Sequence, residues 1–202
     1  MAAGWGRRGI ERTQKSDGGE TLYRRFLAGD TDAAEELIAL YREGLCLFLY
    51  GYVKDMDWAE DLMIEAFARM MVKGGGFRGG ASLKTYLYAI GRNLALRHLK
   101  KAGREKRVPL GEIAEVSDGE AGRSPELRVL QEENRRALYE AMQSLKGDYR
   151  ETLHLLYFEN MSYAEAGEVM GKSTRQIADL AYRARLSLKS KLERLGMRGY
   201  GV

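Results

Sequence analysis

The chain has 202 residues, and its 33 Lys and Arg against 29 Asp and Glu give a net charge of +4. One cysteine excludes a disulfide framework and a cysteine-rich zinc site, and two histidines leave little material for a histidine-based metal centre. The longest apolar run, 45–53, is far shorter than the roughly 20 residues of a membrane-spanning helix. The first twenty residues hold no apolar segment of the secretory type, so we expect a cytoplasmic protein without membrane insertion.

Helix signals dominate the chain, whereas alternating strand patterns are nearly absent. A polar cap residue followed three positions later by an acid or amide marks a helix start, and it occurs at Asp32 with Glu35, Asp57 with Glu60, Asp148 with Glu151, Ser162 with Glu165 and Ser173 with Gln176. The pattern predicts an all-α protein with helices at 21–28, 32–52, 57–73, 82–102, 125–144, 148–159, 162–170 and 173–194.

The stretch that holds both prolines, Pro109 and Pro125, is rich in glycine and acids and has no sustained helical stripe. It indicates a flexible linker between two small helical domains. We expect a disordered tail at 1–20, a first domain at 21–103, the linker at 104–124, a second domain at 125–196 and a tail at 197–202. Ser124 and Pro125 are typical of a helix start and should open the second domain.

Charge is strongly segregated along the chain. Residues 30–65 carry a net −8, 69–107 a net +10, 108–125 a net −3 and 172–198 a net +6. Two separate basic segments favour two places of contact with a polyanion. The alternative is a pair of solvated helix faces.

The C-terminal part has the order of a DNA-reading helix-turn-helix: a short helix capped by Ser162, a turn at Gly171 and a long helix capped by Ser173. On the long helix Ile177 and its helical neighbours form a core face, and Arg and Gln near the start of the opposite face can bond to base edges. Lysines flanking this face suit phosphates. The predicted duplex-binding residues are Lys172, Ser173, Thr174, Arg175, Gln176, Asp179, Arg183 and Lys189. The alternative is an ordinary three-helix bundle with a charged exterior.

The N-terminal part contains an acidic helix followed by an aromatic and basic one. On the first, Asp57, Glu60, Asp61 and Glu65 lie close together, which alone is more typical of a solvated helix than of a binding face. On the second, a ring, an amide and cations share one face, a combination that suits single-stranded nucleic acid. The predicted single-strand contacts are Phe77, Arg78, Tyr86, Asn93, Arg97, Lys100 and Lys101.

The glycine-rich segment 74–80 leaves two other interpretations open. A phosphate-cradling loop is disfavoured, because no strand precedes the segment and no Gly-Lys-Ser/Thr follows it. The plain alternative is a flexible loop leading into an amphipathic helix.

Four segments together carry a resemblance to a known family: DWAEDLMIEAF at 57–67, FRGGASLKTYLYAIGRNLAL at 77–96, YRETLHLLYFENMSYAEAGEVMG at 149–171 and YRAR at 182–185. In this order and spacing the chain resembles, from about Leu22 to Leu195, the extracytoplasmic-function group of sigma-70 factors. The resemblance implies a protein that binds core RNA polymerase and directs it to promoter DNA. It implies no cofactor and no metal, a monomer when free, and an anti-sigma factor as a further candidate partner.

The resemblance also implies a role for each part. The acidic helix would dock on the polymerase, with Asp61 and Glu65 as binding residues. The aromatic helix would open and read the −10 element, with Asn93 near a flipped-out base. The second domain would read the −35 element. The chain departs from the family pattern at Ile64, where Gln is common, at Tyr86, where Trp is common, and across 176–180. Asp179 should change which bases are accepted, since a carboxylate accepts from cytosine and repels phosphate.

The rival hypothesis is a helix-turn-helix regulator that does not act as a polymerase subunit. It would use the C-terminal part but would have no need for an aromatic and amide face for single strands. No Ser, His and Asp set and no nucleotide loop can be assembled, so we do not expect an enzyme. His98 and His154 are interpreted as ordinary helix residues, and Cys46 as a buried small hydrophobic residue.

Overall fold

The computed structural model describes residues 17–72, 77, 81–105 and 137–195. These ranges form eight helical segments and no strand, which confirms the all-α prediction. The segments are α1 Gly19–Leu27, α2 Asp32–Val53, α3 Met56–Val72, α4 Leu83–Glu105, α5 at 137–143, α6 Gly147–Leu153, α7 Tyr163–Met170 and α8 Thr174–Arg194. A π-helical turn, His154–Phe158, continues α6. The N-terminal tail, Arg78, the linker beyond residue 105, the Ser124–Pro125 helix start and the C-terminal tail lie outside the described residues.

At the starts of α2 and α3, the capping residue is not the one that the sequence predicted. The N–H of Ala33 donates to Asp30 Oδ1 at 3.3 Å, so Asp30 rather than Asp32 caps α2. The N–H of Trp58 donates to Asp55 Oδ1 at 3.1 Å, which replaces Asp57 in the same way. In both places a second Asp lies two residues before the predicted one, and the earlier Asp reaches the free N–H groups of the first turn.

The starts of α6, α7 and α8 differ in how they are capped. Ser162 and Ser173 each form the full reciprocal box that their spacing predicts. Asp148 does not: α6 begins at Gly147 without a side-chain cap. The Glu151 carboxylate, which should have closed that box, instead binds Arg92 of α4.

Helices α1 to α4 form the N-terminal module, built around an apolar core. Leu37, Leu45 and Leu49 of α2 are fully buried, as are Met70 of α3 and Leu87 of α4. Cys46 packs against this core but is only half-buried, whereas the sequence predicted a buried residue. The helix faces that pack inward follow the 3.6-residue period read from the sequence, so the opposite faces of α3 and α4 are left outside.

Helices α5 to α8 form the C-terminal module, which has its own small core of Ala141, Met142, Leu145, Leu153, Ala184, Leu188 and Leu192. Its other apolar residues, among them Leu155, Met161 and Ile177, belong to the same hydrophobic cluster as the N-terminal core. Helices α4 and α7 pack directly on one another. The two modules are therefore docked through a continuous apolar contact. Within the described part of the chain, no helix is long and apolar enough to cross a membrane.

Candidate nucleic-acid and protein interfaces

The acidic face of α3 points to solvent. Asp57, Glu60, Asp61 and Glu65 are all exposed, and the ion pair of Glu65 with Arg69 lies on the surface. Asp57, Asp61 and Ile64 are four and three residues apart, so they share one stripe of the helix. Ile64 is 61% exposed in the middle of that stripe. The face therefore combines carboxylates with an uncovered apolar side chain, a composition suited to a protein partner.

The predicted single-strand face of α4 is also accessible. Asn93, Arg97, Lys100 and Lys101 are exposed, and among the described residues no hydrogen bond or ion pair is recorded for their side chains. Tyr86 is half-buried on the same side of the helix. An unengaged amide and three cations beside a ring can stack a base, bond to it and follow a phosphate backbone.

Phe77 has a supporting position under this face. Its ring centroid lies 5.8 Å from that of Tyr86 and 6.0 Å, edge-on, from that of Tyr23. The Tyr23 hydroxyl in turn donates to the carbonyl of Met70 at 3.1 Å. Phe77 thus links Tyr86 to the core and limits the orientations of its ring.

The helix-turn-helix is present with the predicted geometry. Gly171 ends α7 at φ 65°, in the left-handed region that a residue with a side chain rarely adopts. The Ser173 box then starts α8 three residues later. Because both ends of this turn are held by local hydrogen bonds, α8 leaves the turn in a fixed direction, with Ile177, Ala181 and Ala184 buried beneath it.

The outer face of α8 carries the residues predicted to bind duplex DNA. Ser173, Thr174, Arg175, Gln176, Asp179, Arg183 and Lys189 are exposed. Two of the predicted contacts are already engaged within the protein. Gln176 Oε1 accepts from the N–H of Ser173 at 2.8 Å, which leaves only its NH₂ group for a base. Lys172 Nζ lies 3.4 Å from Asp148 Oδ2 at the surface.

Two further side chains on this face were not predicted from the sequence. Tyr182 and Leu186 are 59% and 52% exposed. They lie three and seven residues after Asp179, so they extend the same stripe of α8. That stripe could have been found from the spacing alone, but large apolar residues on a helix are normally assigned to the core. Their exposure beside Arg183 makes them part of the candidate DNA-reading face.

A second feature that the sequence did not reveal is a set of polar contacts between the modules. Arg92 Nε lies 2.5 Å from Glu151 Oε1, and Lys84 Nζ lies 2.8 Å from Glu159 Oε2. Burial would raise the pKa of Glu159, but the hydrogen bond from His154 and the Lys84 ammonium together lower it to about 2. Burial raises the pKa of Glu151, against the opposing effect of Arg92. The His154 ring also lies 5.5 Å, between ring centroids, from Phe48 of α2, so His154 takes part in the contact between modules.

Comparison with protein families assigns both modules. Residues 37–105 match the model of Sigma-70 region 2, and residues 135–188 match the model of Sigma-70, region 4. The first match contains the exposed faces of α3 and α4, and the second contains the helix-turn-helix.

Curated relatives agree with these matches. The chain is 34% identical over 164 residues to the ECF RNA polymerase sigma factor BldN of Streptomyces coelicolor, a match that covers 81% of this chain and 61% of that protein. It is 30% identical over 191 residues to the RNA polymerase sigma-H factor of Pseudomonas aeruginosa, covering 91% of this chain and 97% of that protein. The ECF RNA polymerase sigma-E factor of Escherichia coli is 27% identical over 182 residues, or 87% of this chain and 95% of that one.

Solved structures show the same fold. The sigma factor RpoE in complex with the anti-sigma factor NepR from Bartonella quintana superposes with a TM-score of 0.64 at 24% identity, over 79% of this chain and 96% of that one. CnrH in complex with the cytosolic domain of CnrY superposes with a TM-score of 0.59 at 20% identity, over 88% and 99%.

Proposed function

The chain belongs to the sigma-70 family of RNA polymerase sigma factors, in the extracytoplasmic-function group, and we propose that its two modules divide the work of promoter-directed initiation. The N-terminal module docks on core RNA polymerase and opens the −10 element, while the C-terminal module reads the −35 element. The protein contributes recognition, and the catalysis belongs to the polymerase. The observation that carries this proposal is that each matched region bears the exposed face its role requires: acidic α3 and aromatic-basic α4 in one, the helix-turn-helix in the other.

The docking surface on the polymerase is the exposed stripe of α3. Asp57, Glu60, Asp61 and Glu65 supply negative charge for a basic partner surface, and Ile64 supplies an apolar contact where the family pattern often has Gln. Charge complementarity of this kind speeds encounter and fixes orientation, while the apolar centre adds affinity on desolvation.

The single-strand surface is the exposed side of α4. Tyr86 stacks on an unpaired base, Asn93 bonds to the edge of a flipped base, and Arg97, Lys100 and Lys101 follow the phosphates, with Arg78 as a further candidate. Phe77 positions Tyr86 from below. Extrusion of a base costs a few kcal/mol, which stacking and hydrogen bonds on this face would offset.

The duplex surface is the outer face of α8 with the turn before it. Arg175 and Asp179 are exposed and suit guanine and cytosine edges, and the NH₂ group of Gln176 can donate to one acceptor. Tyr182 and Leu186 suit apolar contact with thymine methyl groups. Lys172, Ser173, Thr174, Arg183 and Lys189 lie at the edges of this face and serve phosphates or neighbouring bases.

Location and regulation follow from these partners. Because the polymerase and the promoter are both cytoplasmic in bacteria, we place the protein in the cytoplasm. An anti-sigma partner and a monomeric free state stay predictions from the family resemblance.

The proposal is tested by reconstitution with purified core polymerase on a library of random duplex templates. Mapped transcript 5′ ends should share two conserved elements at a fixed spacing. Asp61→Arg should abolish binding to core and all transcription, whereas the matched reversal Glu168→Arg, at an exposed acid of α7, should leave core binding unchanged.

Two outcomes would remove the proposal. Failure of the wild-type chain to bind core polymerase would contradict it directly. Tight sequence-specific binding of isolated full-length protein to duplex DNA, without any stimulation of polymerase, would support the rival helix-turn-helix regulator instead.

A further inference from the structure

A large aromatic side chain is exposed in the first turn of α3. Trp58 is 49% exposed, although an indole is among the side chains that gain most from leaving water. It lies three residues before Asp61 and seven before Glu65, so it shares a line along the helix with these two exposed carboxylates. Tryptophan at a surface is typical of protein interfaces, because the ring supplies a large contact area.

Two contacts hold Trp58 in place. Its backbone N–H donates to Asp55 Oδ1 at 3.1 Å, which fixes the first turn of α3. Its ring lies against the ring of His98 on α4, with 4.4 Å between the centroids and 52° between the planes. His98 is itself half-buried, so the neighbouring helix supports the indole. A side chain that is already held in one orientation loses little conformational entropy when a partner binds it.

The charges beside the ring favour a cationic partner group. Asp57 directly precedes Trp58, Asp61 lies one turn further along, and both are exposed. The face of an indole attracts a lysine ammonium or an arginine guanidinium more strongly than the face of any other aromatic side chain. Neighbouring carboxylates add to that attraction, whereas they repel a phosphate. The surroundings of Trp58 therefore suit a basic side chain of a protein better than a nucleic acid.

We propose that Trp58 is an anchor of the docking surface on core RNA polymerase, and that its exposed ring binds a lysine or arginine side chain of the polymerase. The inference rests on the proposed function and adds a residue of a different kind to the acidic stripe. The carboxylates of α3 attract a basic surface at a distance, whereas an aromatic anchor acts only on contact. The acids therefore govern the association rate, and Trp58 governs the dissociation rate.

The test compares replacements of Trp58 in the full chain by their affinity for purified core polymerase. Trp58→Ala removes the ring and should weaken binding about 30-fold, as loss of an interface hot spot does. Trp58→Leu keeps an apolar side chain without the π face and should lose about tenfold, and Trp58→Phe should lose less than Trp58→Leu. Leu27→Ala, at an α1 side chain that is also 49% exposed, is the matched control and should bind like wild type.

Binding kinetics separate the anchor from the charges around it. Trp58→Leu should raise the dissociation rate constant and leave the association rate and its salt dependence nearly unchanged. Glu60→Gln, which removes one exposed carboxylate of the stripe, should instead lower the association rate and flatten its dependence on salt. Circular dichroism of each variant reports whether the helices remain folded.

Fluorinated tryptophan at position 58 tests the nature of the partner group. In a Trp5→Phe background, position 58 holds the one tryptophan of the sequence. Fluorine withdraws electron density from the ring face and thus weakens its attraction for a cation, with little change in the size of the ring. The affinity for core polymerase should therefore fall with each added fluorine.

His98 is a positioning residue for Trp58. His98→Ala should weaken core binding by about two- to tenfold, because the indole then has to be ordered when the partner binds. In a Trp58→Leu background, the same substitution should have no further effect on core binding. A merely structural role of His98 would give the same loss in both backgrounds.

Three results would overturn this inference. One is unchanged core binding in both Trp58→Ala and Trp58→Leu. A second is a fluorinated series with constant affinity, which would show that the ring contacts no cation. A third is loss of promoter opening with intact core binding, which would assign Trp58 to DNA. If a replacement loses helical signal, the fluorinated series, which keeps the indole, still decides. A wild-type chain that never binds core polymerase would instead refute the proposed function.

Discussion

Helices α4 and α8 have similar starts but differ in how many of their sides are packed. Each starts at a serine cap: Ser82 Oγ accepts from the N–H of Thr85 at 3.1 Å, and Ser173 Oγ accepts from the N–H of Gln176 at 3.3 Å. Each buries one apolar stripe in its own module. Helix α4, however, has a second side packed against the other module, whereas the outer face of α8 is exposed along its length.

The difference suits the two kinds of nucleic acid that these helices are proposed to read. An extruded base has to be caught by side chains whose positions are fixed, and the apolar stripe that α4 buries in its own module gives that support. A recognition helix has to enter a major groove about 12 Å wide, so it must project with little around it. Helices with similar starts and similar apolar stripes thus differ in how many of their sides are packed, and only the tertiary structure shows that difference.

The largest expected effect comes from breaking the support of α4. Glu159→Ala should lower the free energy of unfolding by about 3 kcal/mol, because it leaves the half-buried Lys84 ammonium without its carboxylate. Thermal denaturation followed by circular dichroism measures the loss. Glu193→Ala, at an exposed acid of α8, should change stability by less than about 0.5 kcal/mol. Equal effects of the two variants would show that the pair does not support α4.

Glu159 also makes the stability of the contact between modules depend on pH. The pKa of Glu159 is lowered from 4.5 to about 2 in the folded protein, so its stabilisation is present above pH 4.5 and is lost as the pH falls toward 2. Glu151, whose pKa is raised by burial, works in the opposite direction. The difference in melting temperature between wild type and Glu159→Gln should therefore shrink between pH 4.5 and 2. A constant difference across that range would contradict the assignment.

The next effect concerns the reading side of α4. Asn93→Ala should reduce promoter opening by about 5- to 150-fold, the equivalent of the about 1–3 kcal/mol that a bidentate base contact provides. Permanganate footprinting of the open complex measures it, with core binding as the control that should not change. Leu99→Ala, on another side of α4 and also partly exposed, is the matched substitution. Loss of core binding in parallel with opening would assign Asn93 a folding role.

On α8, loss of a base contact and loss of a phosphate contact should have different effects on DNA binding. Arg175→Ala should cost about 1–3 kcal/mol on the preferred −35 sequence and relax selectivity at one position. Lys189→Ala should weaken binding on all sequences alike and reduce the salt slope by about 1. Competition of holoenzyme between templates at several salt concentrations measures both. If the two variants behaved alike, the reading face would have been placed on the wrong side of α8.

The smallest effect tests whether Gln176 is a cap or a reader. Gln176→Ala removes the acceptor for the N–H of Ser173 and should cost up to about 1 kcal/mol of stability. Gln176→Glu keeps that acceptor and adds favourable charge at a helix start, so its melting temperature should equal or exceed that of wild type. If the sequence preference is altered by both variants equally, the NH₂ group reads a base; if by neither, Gln176 acts only as a cap.

Local hydrogen bonds were the part of the fold most accessible from the sequence. Ser162 with Glu165 and Ser173 with Gln176 form the predicted boxes because all their partners lie within three residues. The caps at Asp32 and Asp57 were predicted wrongly because another Asp two residues earlier competes for the same N–H groups. A spacing rule cannot decide between two carboxylates that both reach the first turn.

Contacts distant in sequence were not accessible. Glu151 was assigned to a local cap, but its partner is Arg92, which is 59 residues away. Nothing in the helix pattern around Lys84 indicated that Glu159, directly after the π-helical turn, would meet it. The exposed residues of the three binding faces were predicted because amphipathic spacing defines what is left outside. Tyr182 and Leu186 were not predicted as surface residues, because large apolar side chains are usually buried even where their spacing puts them on an outer face.

Position 44 has a consequence for how this chain can vary. In the interior of α2 an alanine would favour the helix by about 1 kcal/mol over glycine. Here, however, its methyl group would meet Glu159 and Tyr88 at less than 3.0 Å. The methyl group that strengthens α2 would therefore require the Glu159 and Tyr88 side chains to shift. Gly44 is thus a position where the helix propensity of α2 and the close approach of Glu159 favour different residues.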